Sequence, residues 1–187
     1  MLLDKLKAYT SGSHQELEKL IIPRIKQATD KDAYRNVLQL FYGYFKPLEE
    51  LVSKHVDHTL LPDYEERRKT SALLSDIHYL CGSQNALKLC DDLPLIGNSR
   101  QAIGALYVME GSTLGGKIIK GILMKNLDAD GSKGFDFFGG YGDDTEKKWS
   151  AFKQIINDRF SDAETHHEIL AAADNTFKKF RSWAEIN

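Results

Sequence analysis

Five glycines inside one helical pattern constrain this chain more than any other feature. The segment from Arg100 to Lys125 carries Gly104, Gly111, Gly115, Gly116 and Gly121, with helical apolar spacing and no proline. Each interior glycine costs about 1 kcal/mol relative to alanine, so together they forfeit roughly 5 kcal/mol, a large share of a domain's usual margin. At about 100° per residue, Gly104, Gly111 and Gly115 fall on one narrow face with Val108 between them. Such a strip of bare backbone has two uses. It lets a second helix pack closely, or it lets something flat and large press against the main chain. Spacing alone leaves both open. A P-loop is excluded, because these glycines lie within a helix rather than before one.

The rest of the chain narrows the class. Its 187 residues read as one domain, 1–187, long enough for a substantial core. A net charge of −2 gives no general pull toward nucleic acid or an anionic membrane. The start, Met-Leu-Leu-Asp-Lys-Leu-Lys, is not a secretory signal. Glu110, Lys117 and Lys120 interrupt the glycine helix, so no transmembrane span is expected. Cys81 and Cys90 lack Cys-x-x-Cys spacing and read as reduced thiols of a cytoplasmic protein.

Nearly every segment has a helical period. A first helix is expected from about Leu3 to Leu20, with Pro23 ending or bending it. Asp30 is the expected cap of a second, reaching about Val56, with Val37, Leu38, Phe41, Phe45, Leu48, Leu51 and Val52 inward and a kink at Pro47. Further helices are expected over Tyr64–Tyr79 and Ser83–Cys90, and Ser99 as cap of the glycine helix. Residues 128–144 read as a glycine- and aromatic-rich loop without the ligand spacing of a calcium site. Asp143 and Glu146 look like a capping pair before a helix with Trp149, Phe152, Ile155 and Ile156. A last helix is expected from Asp162 to Trp183. No strand pattern appears, so the fold class is all-α.

Two constellations could carry chemistry. His14 has Glu18 one turn later, a spacing that lets a carboxylate accept the second ring N–H of a ligating imidazole. The same pair is also a common surface arrangement. Lys7 lies two turns earlier on that face, roughly 10.5 Å along the axis, with Thr10 between them. His55 with His58, and His166 with His167, offer only incomplete zinc sets. No nucleophile motif is present. An imidazole backed by a carboxylate on one helix, bare backbone on another and a basic residue at the edge suit a planar macrocycle with a central metal and acidic side groups.

These stretches resemble the heme oxygenase family, bacterial type, over nearly the whole chain. Gly104-Ala-Leu-Tyr-Val-Met-Glu-Gly-Ser-Thr-Leu-Gly-Gly116 is similar to the family's distal-helix signature. Thr10-x-x-x-His14-x-x-x-Glu18 resembles its proximal histidine segment, and Tyr34–Glu49 and Phe137–Gly142 also look like the family. The resemblance implies an all-α, single-domain helical bundle with heme, both cofactor and substrate, sandwiched between a proximal helix and the glycine-rich distal helix. It implies His14 as the iron ligand, Glu18 as its partner, and Gly111, Ser112, Gly115 and Gly116 over the distal face. Thr10, Tyr107 and Val108 complete the implied heme contacts, and Lys7 and Lys178 are the implied propionate partners. Many members carry an aspartate where this chain has Ser112, which leaves the route of protons open. The implied reaction cleaves heme at a meso carbon to biliverdin, carbon monoxide and ferrous iron. Its electrons come from an external donor (ferredoxin, flavodoxin or a reductase), since no flavin or nicotinamide motif is present. The competing expectations are a heme carrier without turnover, an unrelated activity on a similar bundle such as a thiaminase-like enzyme, and a structural module using the glycine strip as an interface.

Overall fold

The computed structural model describes residues 1–82, 87–131 and 133–187. Among the described residues there are seven α-helices and no strands: α1 (Leu2–Gln27), α2 (Lys31–Ser53), α3 (Ser71–Cys81), α4 (Ser99–Asn126), α5 (Asp136–Gly139), α6 (Thr145–Arg159) and α7 (His166–Ile186). Three short 3-10 turns precede α3, α6 and α7.

Helix starts follow local chemistry in places and tertiary contacts elsewhere. Asp30 caps α2 by accepting the Ala33 N–H at 2.8 Å, as its position suggests. The cap of α4 is Asn98, one residue before the expected Ser99; its side chain accepts the Gln101 N–H at 3.0 Å. Asp143 and Glu146 form no capping pair, and α6 starts without a side-chain cap. α1 runs through Pro23 to Gln27. Proline removes one ladder bond there, but Ile25 beyond it is fully buried and Arg24 donates to the Ala184 carbonyl of α7 at 2.6 Å. α2 likewise runs through Pro47. The expected Tyr64–Tyr79 helix divides into a 3-10 turn, Tyr64–Glu66, and α3. Of the expected Ser83–Cys90 helix, residues 87–90 are not helical and 83–86 lie outside the described residues. The loop over 128–144 contains the single turn α5, whose N–H groups at Asp136 and Phe137 donate to the two Asp76 oxygens, each at 2.9 Å.

α7 is the main packing partner of both α1 and α4. Gly104 is where α4 meets it: a Cβ there would collide with the Ile169 carbonyl and stand 2.8 Å from Ala172 Cβ. On the other side Trp183 of α7 donates to the Leu40 carbonyl of α2 at 2.9 Å, and Tyr44 of α2 donates to the Thr176 carbonyl at 2.7 Å. These bonds satisfy the polar ends of large buried aromatics. Because α7 braces both long helices, α1 and α4 stand apart along part of their length, with a cavity between them.

Candidate functional site

The cavity measures about 780 Å³. One wall is α1, presenting Lys7, Thr10, His14 and Glu18; the facing wall is α4, presenting Tyr107, Val108, Gly111, Ser112 and Gly115. Its apolar floor combines Phe41 and Phe45 of α2, Phe137 and Phe138 of α5, and Phe177 and Phe180 of α7. Phe41 lies at the middle of this cluster, with ring centroids 5.3 Å from Phe138 and 5.2 Å from Phe180 in edge-on arrangements.

On the α1 wall His14 leans on Phe177, with centroids 4.9 Å apart. Its Nε2 lies 3.4 Å from Glu18 Oε1, and both side chains are about half exposed. The other ring nitrogen, Nδ1, is therefore the one left for a ligand in this rotamer. Ligation through Nε2 needs a half-turn of the ring, which brings Nδ1 to Glu18. Thr10 is buried and donates to the Leu6 carbonyl at 2.8 Å. Its side chain also hydrogen-bonds the Tyr107 phenol, which partly offsets the upward push of burial there. This pair bridges the two walls at one edge.

The α4 wall divides its glycines by purpose. Gly111 and Gly115 face the cavity: a Cβ at Gly111 would make only ordinary contact with Trp149 at 3.7 Å, and one at Gly115 would meet nothing within 4 Å. Gly104 and Gly116 are different. Gly104 packs on α7, and a Cβ at Gly116 would stand 2.5 Å from the Phe138 carbonyl. The expectation of one continuous glycine face is therefore corrected. Gly116 lies outside the cavity lining and serves the close approach of α5. Glu110 points away from the cavity; Arg67 Nη1 donates to it at 2.7 Å, as does the Tyr141 hydroxyl at 2.9 Å. Ser112 lines the cavity, donates to the Met109 carbonyl at 2.6 Å and accepts from Arg68 Nη2 at 2.6 Å.

The charged edge also differs from expectation. Lys178 does not line the cavity; it is exposed and pairs with Asp174 at 2.8 Å. The second cation on the cavity is Lys153 of α6. Among the described residues neither Lys7 nor Lys153 has an acidic partner. Sequence reasoning missed Lys153 although Trp149 lies one helical turn before it, a spacing that put both on one face. It also missed Arg68, for which no local signal existed, and Phe177, whose helical spacing reads as ordinary core. Of the histidines considered for zinc, His166 is occupied: its Nε2 donates to the Phe160 carbonyl at 2.8 Å and its Nδ1 accepts from Lys5 at 3.2 Å.

Such a site can take a flat, largely apolar ligand between α1 and α4. It offers an imidazole to a central metal and two free ammonium groups to acidic substituents. The chain is similar to known proteins in family pattern, in sequence and in fold. The family model described as heme oxygenase matches residues 1–185. A heme oxygenase of Xanthomonas campestris pv. campestris (strain 8004) is 27% identical over 156 residues, covering 82% of this chain and 89% of the relative. The structure of the heme oxygenase from Leptospira interrogans matches with a TM-score of 0.81 at 18% identity, covering 100% of this chain and 99% of that one. The structure of heme oxygenase-1 from the cyanobacterium Synechocystis sp. PCC6803 in complex with heme matches with a TM-score of 0.76 at 20% identity, covering 99% and 91%. With the family model spanning almost its entire length, this chain belongs to the heme oxygenase family.

Proposed function

We propose that this protein binds heme between α1 and α4 and, with electrons from a separate donor protein, opens it at a meso carbon to biliverdin, carbon monoxide and ferrous iron. The observation that carries the reading is the pair Gly111 and Gly115. Neither is required by a close protein contact: a Cβ would meet nothing within 4 Å at Gly115 and only Trp149, at an ordinary 3.7 Å, at Gly111, and that space faces His14 across the cavity. Glycines that cost helix stability and serve no packing contact are accounted for by a ligand that needs bare backbone.

The residues present fit the group. His14 would hold the iron through one ring nitrogen, and Glu18 would accept the other N–H, fixing the tautomer and making the imidazole a better donor. Phe177 limits rotation of the ring. The phenylalanine floor excludes water from the apolar edge, and Lys7 and Lys153 receive the propionates at the rim. Bound heme supplies both the iron that activates oxygen and the carbon that is opened. The chain supplies position. Gly111 and Gly115 let α4 lie close to the macrocycle, and the Ser112 hydroxyl is a polar group in the lining beside them.

Among the described residues no helix is long and apolar enough to cross a membrane, which suits the proposed exchange of electrons with a protein donor in the cytoplasm. Addition of ascorbate to the hemin complex under air tests the reading. The expected result is decay of the heme absorption with growth of biliverdin absorption. A complex whose heme bands persist under these conditions is a carrier and refutes turnover.

A further inference from the structure

Ser112 lines the cavity beside Gly111, yet its hydroxyl proton is directed at the Met109 carbonyl. The hydrogen bonds around that carbonyl show the proton is not needed there. A carbonyl oxygen has two lone pairs. The α-helical ladder gives this one the Thr113 N–H, and Arg68 Nη2 donates to it at 2.8 Å. Ser112 is thus a third donor on an acceptor already supplied with two. Arg68 Nη2 also donates to Ser112 Oγ at 2.6 Å, so the hydroxyl keeps an accepted bond whichever way its proton turns.

The guanidinium is itself held fast. Nη1 donates to the Phe137 carbonyl at 3.4 Å, and its carbon lies 4.0 Å from the centroid of the Phe137 ring. The Arg68 N–H donates to the Tyr141 hydroxyl at 2.8 Å, and that hydroxyl donates to Glu110. Glu110 is committed to Arg67 and Tyr141, so no carboxylate pairs directly with Arg68. Burial pulls the guanidinium down to about 10, which leaves it charged at neutral pH. A buried guanidinium with no direct ion pair among the described residues, its charge supported at a distance by Glu110 and Glu49, therefore stands behind Ser112, one hydrogen bond from the cavity.

We infer that Arg68 is a positioning residue that holds Ser112 as a hydrogen-bond donor toward an anionic ligand on the α4 side of the bound heme. This inference rests on the proposed heme site. The pair stabilises negative charge on that ligand by donation from Ser112, polarised by the guanidinium behind it. No proton need leave Arg68.

Fluoride binding to the ferric hemin complex tests this without turnover, because fluoride on iron accepts hydrogen bonds and its charge-transfer band shifts with them. Ser112→Ala and Arg68→Met should each weaken fluoride binding by roughly three- to tenfold, the range expected for one lost hydrogen bond, and should shift the band the same way. The double variant should be no weaker than Ser112→Ala alone, because one residue acts through the other. Arg68→Lys should restore part of the affinity. Arg68 also packs on Phe137, so Arg68→Met could fail to fold; Ser112→Ala and Arg68→Lys then carry the test. Wild-type fluoride affinity and band position in Ser112→Ala overturn the inference. So do additive losses in the double variant, which would show that Arg68 acts by another route. A wild-type protein that forms no hemin complex refutes the proposed function instead.

Discussion

Single side chains at the cavity rim govern orientation more than affinity. Lys7 projects from α1 and Lys153 from α6, so the two ammonium groups come from different elements and mark two points on the rim. A partly exposed charge pair contributes only about 0–1 kcal/mol. The Lys7→Ala, Lys153→Ala double variant should therefore bind hemin nearly as well as wild type. Its heme should lose its fixed rotation about the iron–imidazole axis, and the ratio of biliverdin isomers should change. A wild-type isomer ratio in that variant would remove both lysines from the account. Lys178→Ala, whose ammonium pairs with Asp174 away from the cavity, should leave the ratio alone. Lys7 lines the cavity with His14, as their seven-residue spacing on one helix suggests. The sequence misplaced the second cation because the register between α6, α7 and the cavity depends on how whole helices pack. Arg68 was invisible for the same reason: its partners Ser112 and Phe137 lie 44 and 69 residues away.

At the scale of helices, α4 carries two kinds of glycine that the helical wheel cannot separate. Gly104→Ala should cost about 1–3 kcal/mol of stability, since its Cβ would enter the Ile169 backbone. Gly111→Leu and Gly115→Leu should leave helical circular dichroism and the unfolding midpoint close to wild type and block hemin binding. Stability loss at Gly115 with normal hemin binding would turn that glycine into a packing residue. α5 gives a second test. Burial raises the Asp76 carboxyl from 3.8 to about 6, while its two oxygens receive the first N–H groups of α5. The folded state thus binds the proton more tightly than the unfolded one. The associated stability is fully present below pH 3.8 and is lost as pH rises through about 6. The stability of wild type relative to Asp76→Asn should accordingly fall across that window by about 3 kcal/mol and stay flat above it. Denaturant unfolding of both proteins over that pH range reads this difference, and a flat difference throughout would remove the burial argument. α5 itself escaped the sequence reading because its first turn is capped from α3, 60 residues away.

Over the whole molecule, the site exists because α7 packs on both α1 and α4 and leaves them apart where His14 faces Gly111 and Gly115. The all-helical class was legible in local periodicity, whereas the pairing of the two walls came from the family resemblance, since spacing alone left the glycine strip open. The floor was not legible, because phenylalanines lining a cavity and phenylalanines filling a core have the same spacing; Phe41 does both. The central claim is that a heme lies in this gap on the His14 imidazole. The absorption spectrum of the ferric hemin complex tests it most directly when wild type and His14→Ala are compared, with added imidazole as rescue. The account predicts an imidazole-ligated spectrum in wild type, its loss in His14→Ala, and its return when imidazole is supplied. An identical spectrum in the two proteins without imidazole would contradict it.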